Sequence, residues 1–278
     1  MGKFSRTWSL MGASWEILKK DKEMLIFPLF SGICCLLVMA SFAIPLFTGG
    51  NWQPPGDHAS ASEQITYYGL LFLFYFCNYL VIVFFNAAVI ACATIRMEGG
   101  DPTVSDGFRA AWARLPAIAG WALVSATVGL VLRIIEDRSE KLGKFVAGLL
   151  GVSWSVVSFL VIPILVMENE TPITALKKSA MLLKQTWGEE IISAFSFGLI
   201  FFLLTLPAFL LIILGFLGGK GMTIIISISL AAIYFIIIAL IQSVLQTVFQ
   251  AALYFYARRG QAPQGFQRDL LVNSMARR

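Results

Sequence analysis

Long apolar runs alternate with short polar stretches along the whole chain. The runs cover residues 24–47, 65–95, 116–135, 145–167, 191–214 and 223–257. About 20 apolar residues at 1.5 Å per residue cross the hydrocarbon core of a bilayer, so each run predicts a membrane helix. The last is the longest: from Thr223 to Ala257 it contains no charged side chain, and Arg258 and Arg259 close it. Pro207 lies inside the fifth run and predicts a kink whose freed carbonyl is met by Thr205 or by a neighbouring helix. In the hairpin of the third and fourth runs, Gly143, Ala147 and Gly151 recur every four residues, a spacing that lets two helices approach closely.

Three of the polar stretches are amphipathic. Residues 1–23 carry Phe4, Trp8, Met11, Trp15 and Leu18 at the 3–4 spacing of one helical face. Residues 97–115 carry Val104, Phe108, Ala111, Trp112 and Leu115, behind an Asp101-Pro102 pair that reads as an N-cap and a first-turn proline. After Glu168, Thr171-Pro172 reads the same way, followed by Ile173, Leu176, Ala180, Leu183 and Trp187. Such helices are too polar to span and suit the headgroup layer. The predicted fold is an all-α integral membrane protein with six transmembrane helices, arranged as three repeats of an amphipathic elbow plus a membrane hairpin. It forms one transmembrane helical domain over residues 1–260, with repeats at about 1–96, 97–167 and 168–260, and a short tail over 261–278.

Spacing supports the repeat. Met97-Glu98 and Pro102 match Met167-Glu168 and Pro172 at an offset of 70. Phe85-Asn86-Ala87-Ala88 matches Phe249-Gln250-Ala251-Ala252 at an offset of 164, which also sets Asn78 on Gln242. The middle hairpin lacks the polar pair, with Gly148 and Val156 in its place. Because each unit has two crossings, the repeats are parallel, related by an axis along the membrane normal.

Composition agrees with the pattern. The chain is 58% hydrophobic and 13% charged, where soluble domains run nearer half and a quarter. The net charge of +5 falls between the apolar runs and does not form a nucleic-acid-binding stripe. The N-terminal head, residues 96–115, residues 168–190 and the tail hold 16 of the 21 basic residues. The positive-inside rule then places both termini in the cytoplasm and the protein in the cell (inner) membrane as a multi-pass protein. No small-residue cleavage site follows the first apolar run, so that run is expected to be retained.

Candidate chemistry is sparse. Cys34, Cys35, Cys77 and Cys92 all lie in apolar runs and suit packing better than disulfides or zinc. The single histidine, His58, sits in a Gly/Pro loop with no nucleophile near it in sequence. The helix interiors carry no Asp, Glu, Lys or Arg away from their ends; Arg133 comes nearest, and Glu136 and Asp137 follow it at i+3 and i+4. Glu98 and Glu168 read as residues that order their elbows. No catalytic, cofactor-binding or metal-binding set emerges.

Two features remain. Asn78 and Asn86 form one amide pair, and Gln242, Gln246 and Gln250 a second amide stripe, each following one helix face; they serve either as interhelical contact or as the lining of a polar crevice. Trp8, Trp15, Trp112 and Trp187 sit on the amphipathic stretches as interfacial anchors.

The opening Phe4-Ser5-Arg6-Thr7-Trp8-Ser9-Leu10, then Trp15-Glu16-Ile17-Leu18-Lys19-Lys20-Asp21-Lys22-Glu23 running into Phe27-Pro28, resembles a family of bacterial and archaeal polytopic membrane proteins classed only as a domain of unknown function. More remotely, the elbow-plus-hairpin plan is similar to the membrane domain of some glycerophosphodiester phosphodiesterases, with no catalytic domain expected in this chain. The resemblance implies the fold and no activity. The function expected is a non-enzymatic scaffold or accessory subunit working with membrane lipids, a protein partner or a second copy. The alternative is a channel or facilitator for a small solute or ion, lined by the Asn/Gln stripe.

Overall fold

The structure, a computed structural model, describes residues 3–49, 60–137, 142–185, 189–219, 221–260, 263 and 266. Among these, all regular structure is helical. In chain order the helices are α1 (Lys3–Lys20), α2 (Ile26–Gly49), α3 (Ala61–Met97), α4 (Val104–Ala113), α5 (Leu115–Asp137), α6 (Leu142–Val157), α7 (Val161–Glu168), α8 (Pro172–Gln185), α9 (Glu189–Leu217) and α10 (Gly221–Arg259), with a 3₁₀ turn at Lys22–Leu25 leading into α2. Among the described residues six segments are long and apolar enough to cross a bilayer: Lys22–Ile44, Ala61–Met97, Leu115–Asp137, Gly143–Glu168, Gly198–Leu217 and Gly221–Arg259. They coincide with the six apolar runs, and α1, α4 and α8 occupy the three amphipathic stretches.

The ends are set by local chemistry. Ser60 and Glu63 form a reciprocal cap, in which the Ser60 backbone N–H donates to Glu63 Oε2 at 2.9 Å and the Glu63 N–H donates to Ser60 Oγ at 3.3 Å. This starts α3 at Ala61, four residues before the apolar run. The expected Asp101-Pro102 cap is not used. Thr103 is the N-cap of α4, in a capping box with Asp106, because the Thr103 hydroxyl can accept from the Asp106 N–H while the Asp106 carboxylate reaches back to the Thr103 N–H. On α8 the expected arrangement holds: Thr171 Oγ1 accepts from the Thr174 N–H at 3.4 Å and Pro172 is the first helical residue. The left-handed Asn169, at φ 55°, ends α7 just before this.

Two prolines inside the apolar runs have different settings. The fourth span is divided at residues 158–160 into α6 and α7, which places Pro163 in the first turn of α7, where its missing N–H is not needed. Pro207 stays inside the continuous α9. The carbonyl it deprives is that of Leu203, and the donors go to the carbonyls on either side of it instead of to the freed one: Thr205 Oγ1 donates to the Phe202 carbonyl at 2.7 Å, and the Tyr234 hydroxyl of α10 donates to that of Leu204 at 2.6 Å.

The chain divides into two compact units. One comprises Met1–Pro28, Ala93–Pro102 and Gln185–Arg278, and the other Leu29–Cys92 and Thr103–Lys184. In the first, α9 and α10 form a hairpin whose close approach needs Gly215, since a Cβ there would stand 2.5 Å from that of Ser227. Phe209 and Phe235 meet edge-on at 5.4 Å along it, and α1 lies against both helices. In the second, α5 and α6 are joined by stacked Trp121 and Trp154 at 5.5 Å. Gly151 leaves 3.9 Å to Leu132, room for a methyl group, so the Gly143-Ala147-Gly151 spacing is not what brings these helices close there. The tight glycine on α5 is Gly120, against the Pro172 ring of α8.

Each of the two longest helices is most deeply buried toward its C-terminal end. On α3, Ala87, Ala88, Ile90 and Ala93 are fully buried, and on α10 so are Val244, Val248, Ala251, Ala252 and Leu253. The first half of α10 is exposed at Met222, Ile225, Ile226, Ile233, Ile236 and Ile237, as a lipid-facing surface would be.

Candidate functional site

Each amphipathic helix buries a small side chain, and the described tryptophans of α1 and α4 are turned away from the buried line. On α1 the buried line is Leu10, Ser14, Ile17 and Leu18, continued by Asp21 just after the helix. Of the predicted stripe, Leu18 belongs to this buried line, Trp8 is 62% exposed and Trp15 38%. The apolar surface of α1 is therefore wider than the stripe: Leu10 and Ile17 seat the helix on the protein, and the tryptophans take the neighbouring face. On α4 the buried positions are Gly107 and Ala111, with Trp112 62% exposed and edge-on to Phe84 at 5.2 Å. On α8 they are Ala175, Ser179 and Leu183, whereas the predicted Ile173 is exposed. Trp187 and the Phe4 side chain lie outside the described residues.

Ser179 performs the most demanding task of these small residues. Its hydroxyl donates to the Val157 carbonyl at 2.6 Å and accepts from the Leu160 N–H at 3.2 Å, filling the break between α6 and α7. Nothing in the local sequence marks it, since a serine beside Lys177 and Lys178 looks like a solvent-facing residue.

Ion pairs clasp the ends of the spans. Arg96, at the end of α3, grips Asp21 with two hydrogen bonds, one of them 2.6 Å from Nε to Oδ2, and also pairs with Asp101. The Asp21 side chain is only 6% exposed. Arg259 pairs with Glu98 and lies 4.4 Å from the Phe255 ring centroid. Lys178 bridges Glu168 at 2.6 Å and Glu170 at 2.7 Å, hydrogen bonds that raise its pKa above the ordinary lysine value. Glu98 and Glu168 thus each hold a base, in keeping with a role in ordering the elbows. The hydrogen bonds from Thr103 lower the Asp106 carboxyl below its ordinary range. Arg133 meets Glu136 at 3.3 Å and Asp137 at 3.2 Å, as its spacing predicts.

The amides fall in different units. Asn78 and Asn86 belong to the second unit, and Gln242, Gln246 and Gln250 to the first; all five are half-buried. Asn78 donates back to the Phe74 carbonyl of its own helix at 2.9 Å. The large apolar side chains exposed on α10 end at Ile237, so the three glutamines all lie beyond the exposed belt. Cys34, Cys35 and Cys77 are half-buried free thiols, and buried Cys92 lies 3.6 Å from the Thr103 carbonyl. Among the described residues no group of three or more His, Cys, Asp and Glu side chains is placed to hold a metal. His58 lies outside them.

No curated protein matches the chain. A family model does, over residues 65–265, from the second span to just past α10. The opening stretch that carried the sequence resemblance, residues 4–28, lies before that match, whereas α4, α8, the Phe-Asn/Gln-Ala-Ala segments and the break filled by Ser179 all fall within it. The match takes in more than half of the chain, which accordingly belongs to the family of unknown function DUF6159.

Proposed function

We propose that this chain is a non-enzymatic scaffold or accessory subunit of the cell (inner) membrane, with both termini cytoplasmic, working with membrane lipid or a partner complex. The observation that carries the reading is the shared build of α1, α4 and α8. Each is seated by small buried residues and presents apolar side chains outward, with Trp8 and Trp112 well exposed, a surface suited to headgroups or to a docked protein. The caps support a match of the second and third repeats in a new register: Thr103 and Thr171 are 68 apart, and at that spacing Gly107 meets Ala175 and Ala111 meets Ser179, pairing the buried positions. The insertion of two residues before Thr103 accounts for the offset of 70 in the preceding Met-Glu pair. The family match supports a shared fold over most of the chain without pointing to the phosphodiesterase-linked membrane domains.

The channel alternative draws less support. A solute path needs polar groups through the hydrocarbon, yet Asn78 is satisfied within its own helix and the glutamines of α10 begin past the exposed belt. Chemical crosslinking in native membranes followed by native gel analysis tests the choice. A defined larger species that dissolves in Trp8→Ala/Trp112→Ala, while the purified variant keeps its melting temperature, is the expected result. A species of unchanged size, together with ion or solute flux in proteoliposomes that Gln246→Leu abolishes, would transfer support to the channel.

A further inference from the structure

A groove of about 340 Å³ opens between α1 and the α9–α10 hairpin, and its walls are entirely apolar. Trp8, Gly12 and Trp15 of α1 form one side, and Leu204 of α9 with Ile238 and Ile241 of α10 the other. The groove also reaches Leu245, so along α10 it runs two helical turns, about 10 Å at 1.5 Å per residue. Gly12 leaves it open, since a Cβ there would meet nothing within 4 Å.

From this geometry we infer that the groove holds one acyl chain of an anionic glycerophospholipid, with the headgroup at the C-terminal end of α1. The lining admits an apolar occupant, and its length along α10 fits a linear one. The occupant comes from the bilayer, because the residues flanking the groove on the same helices, Phe202, Leu203 and Ile237, are exposed and apolar. The anionic headgroup follows from charge. Lys19 continues the groove face of α1 one turn beyond Trp15, with its Nζ 6.0 Å from the Trp15 ring centroid, and Lys20 and Lys22 are exposed just after it. Glu16 and Glu23 are the exposed carboxylates nearby, Glu16 already pairing with Lys19 at 2.8 Å, and Asp21 is held by Arg96. Tryptophan beside lysine at an apolar opening is a suitable setting for a glycerophosphate group. The inference rests on the proposed function only for residence in a bilayer and for lipid as a partner.

The test is photolabelling of the full-length protein in phosphatidylcholine nanodiscs doped with phosphatidylglycerol bearing a photoactivatable acyl chain. Label should concentrate on the peptides of α1, α9 and α10 that wall the groove, saturate with dose, and be competed by phosphatidylglycerol better than by phosphatidylcholine. Gly12→Phe should cut this labelling about tenfold, and Leu204→Trp should do so from the opposite wall, with label at the exposed Leu36 and Leu37 of α2 unchanged as the control for folding. Lys19→Glu should erase the preference for phosphatidylglycerol. Labelling that never saturates and ignores both filling variants, or crosslinks showing a second copy seated in the groove, would overturn the inference. Saturable labelling with no crosslinked complex would retain the lipid site and sink the scaffold reading alone.

Discussion

Pro163 and Pro207 sit in comparable apolar spans and have opposite effects. Pro163 follows a break that separates α6 from α7, whereas Pro207 is carried within an unbroken α9. The difference lies in what surrounding side chains supply. An opened break frees both a carbonyl and an amide, and Ser179 from α8 answers both with one hydroxyl. A proline carried inside a helix leaves one carbonyl, here that of Leu203, without its helical donor, and Thr205 and Tyr234 donate to the carbonyls on either side of it. A proline therefore marks where a helix can open, and at the opening before Pro163 a partner side chain meets both freed groups.

The largest expected effect comes from removing that partner. Ser179→Val leaves the Val157 carbonyl and the Leu160 amide unmet at a buried site, and at about 1–3 kcal/mol for each orphaned group the loss should reach roughly 3 kcal/mol. Denaturant unfolding in detergent measures it, and a loss below about 0.5 kcal/mol would mean that the break does not depend on Ser179. Next is the coupling between serine and proline. Adding Pro163→Ala to Ser179→Val restores an N–H for the Phe159 carbonyl and lets the span close, so the double variant should recover about 1–2 kcal/mol; additive effects would show the two residues to be independent.

Tyr234→Phe should cost about 1 kcal/mol, near the usual worth of one interhelical hydrogen bond in a membrane, and Thr205→Val only a few tenths. Equal losses at the two sites would remove the distinction between a donor from another helix and one from the same turn. The smallest effect concerns the brace beside Ser179. Lys178 has its pKa raised by Glu168 and Glu170, so its contribution to stability is complete below the ordinary lysine value and disappears as pH rises through the higher folded value. The melting-temperature gap between wild type and Lys178→Met should be constant from about pH 8 to the ordinary lysine pKa and narrow above it. A gap that widened with pH would contradict the direction of the shift.

What could be read from the sequence was whatever depends on near neighbours. The six spans follow from run length alone, and the Arg133 pairs and the Thr171 cap are three- and four-residue relations. The Ser60-Glu63 box was equally local, but it precedes the apolar run and so went unused. The Thr103 cap was missed because Asp101-Pro102 offered a cap of the same kind two residues earlier. Other features depend on distant residues. Asp21 and Arg96 are 75 apart, and Ser179 reaches back 22 residues to Val157, so neither partnership leaves a periodic trace. The protein-facing sides of α1 and α8 are hidden for a related reason: a hydrophobic stripe records which residues avoid water, and both protein and lipid satisfy that, so the pattern does not separate Ile17 from Trp15.

The ion-pair clasps have a consequence in time. A basic residue biases the orientation of a nascent span while the chain is inserting, before tertiary partners exist. Arg96, Lys178 and Arg259 carry full charge at that stage, yet in the finished protein each is held by one or two carboxylates. Three of the bases counted in the positive-inside asymmetry are thus paired in the folded protein, and the exposed Lys20, Lys22, Arg109, Lys177 and Lys184 form a different set.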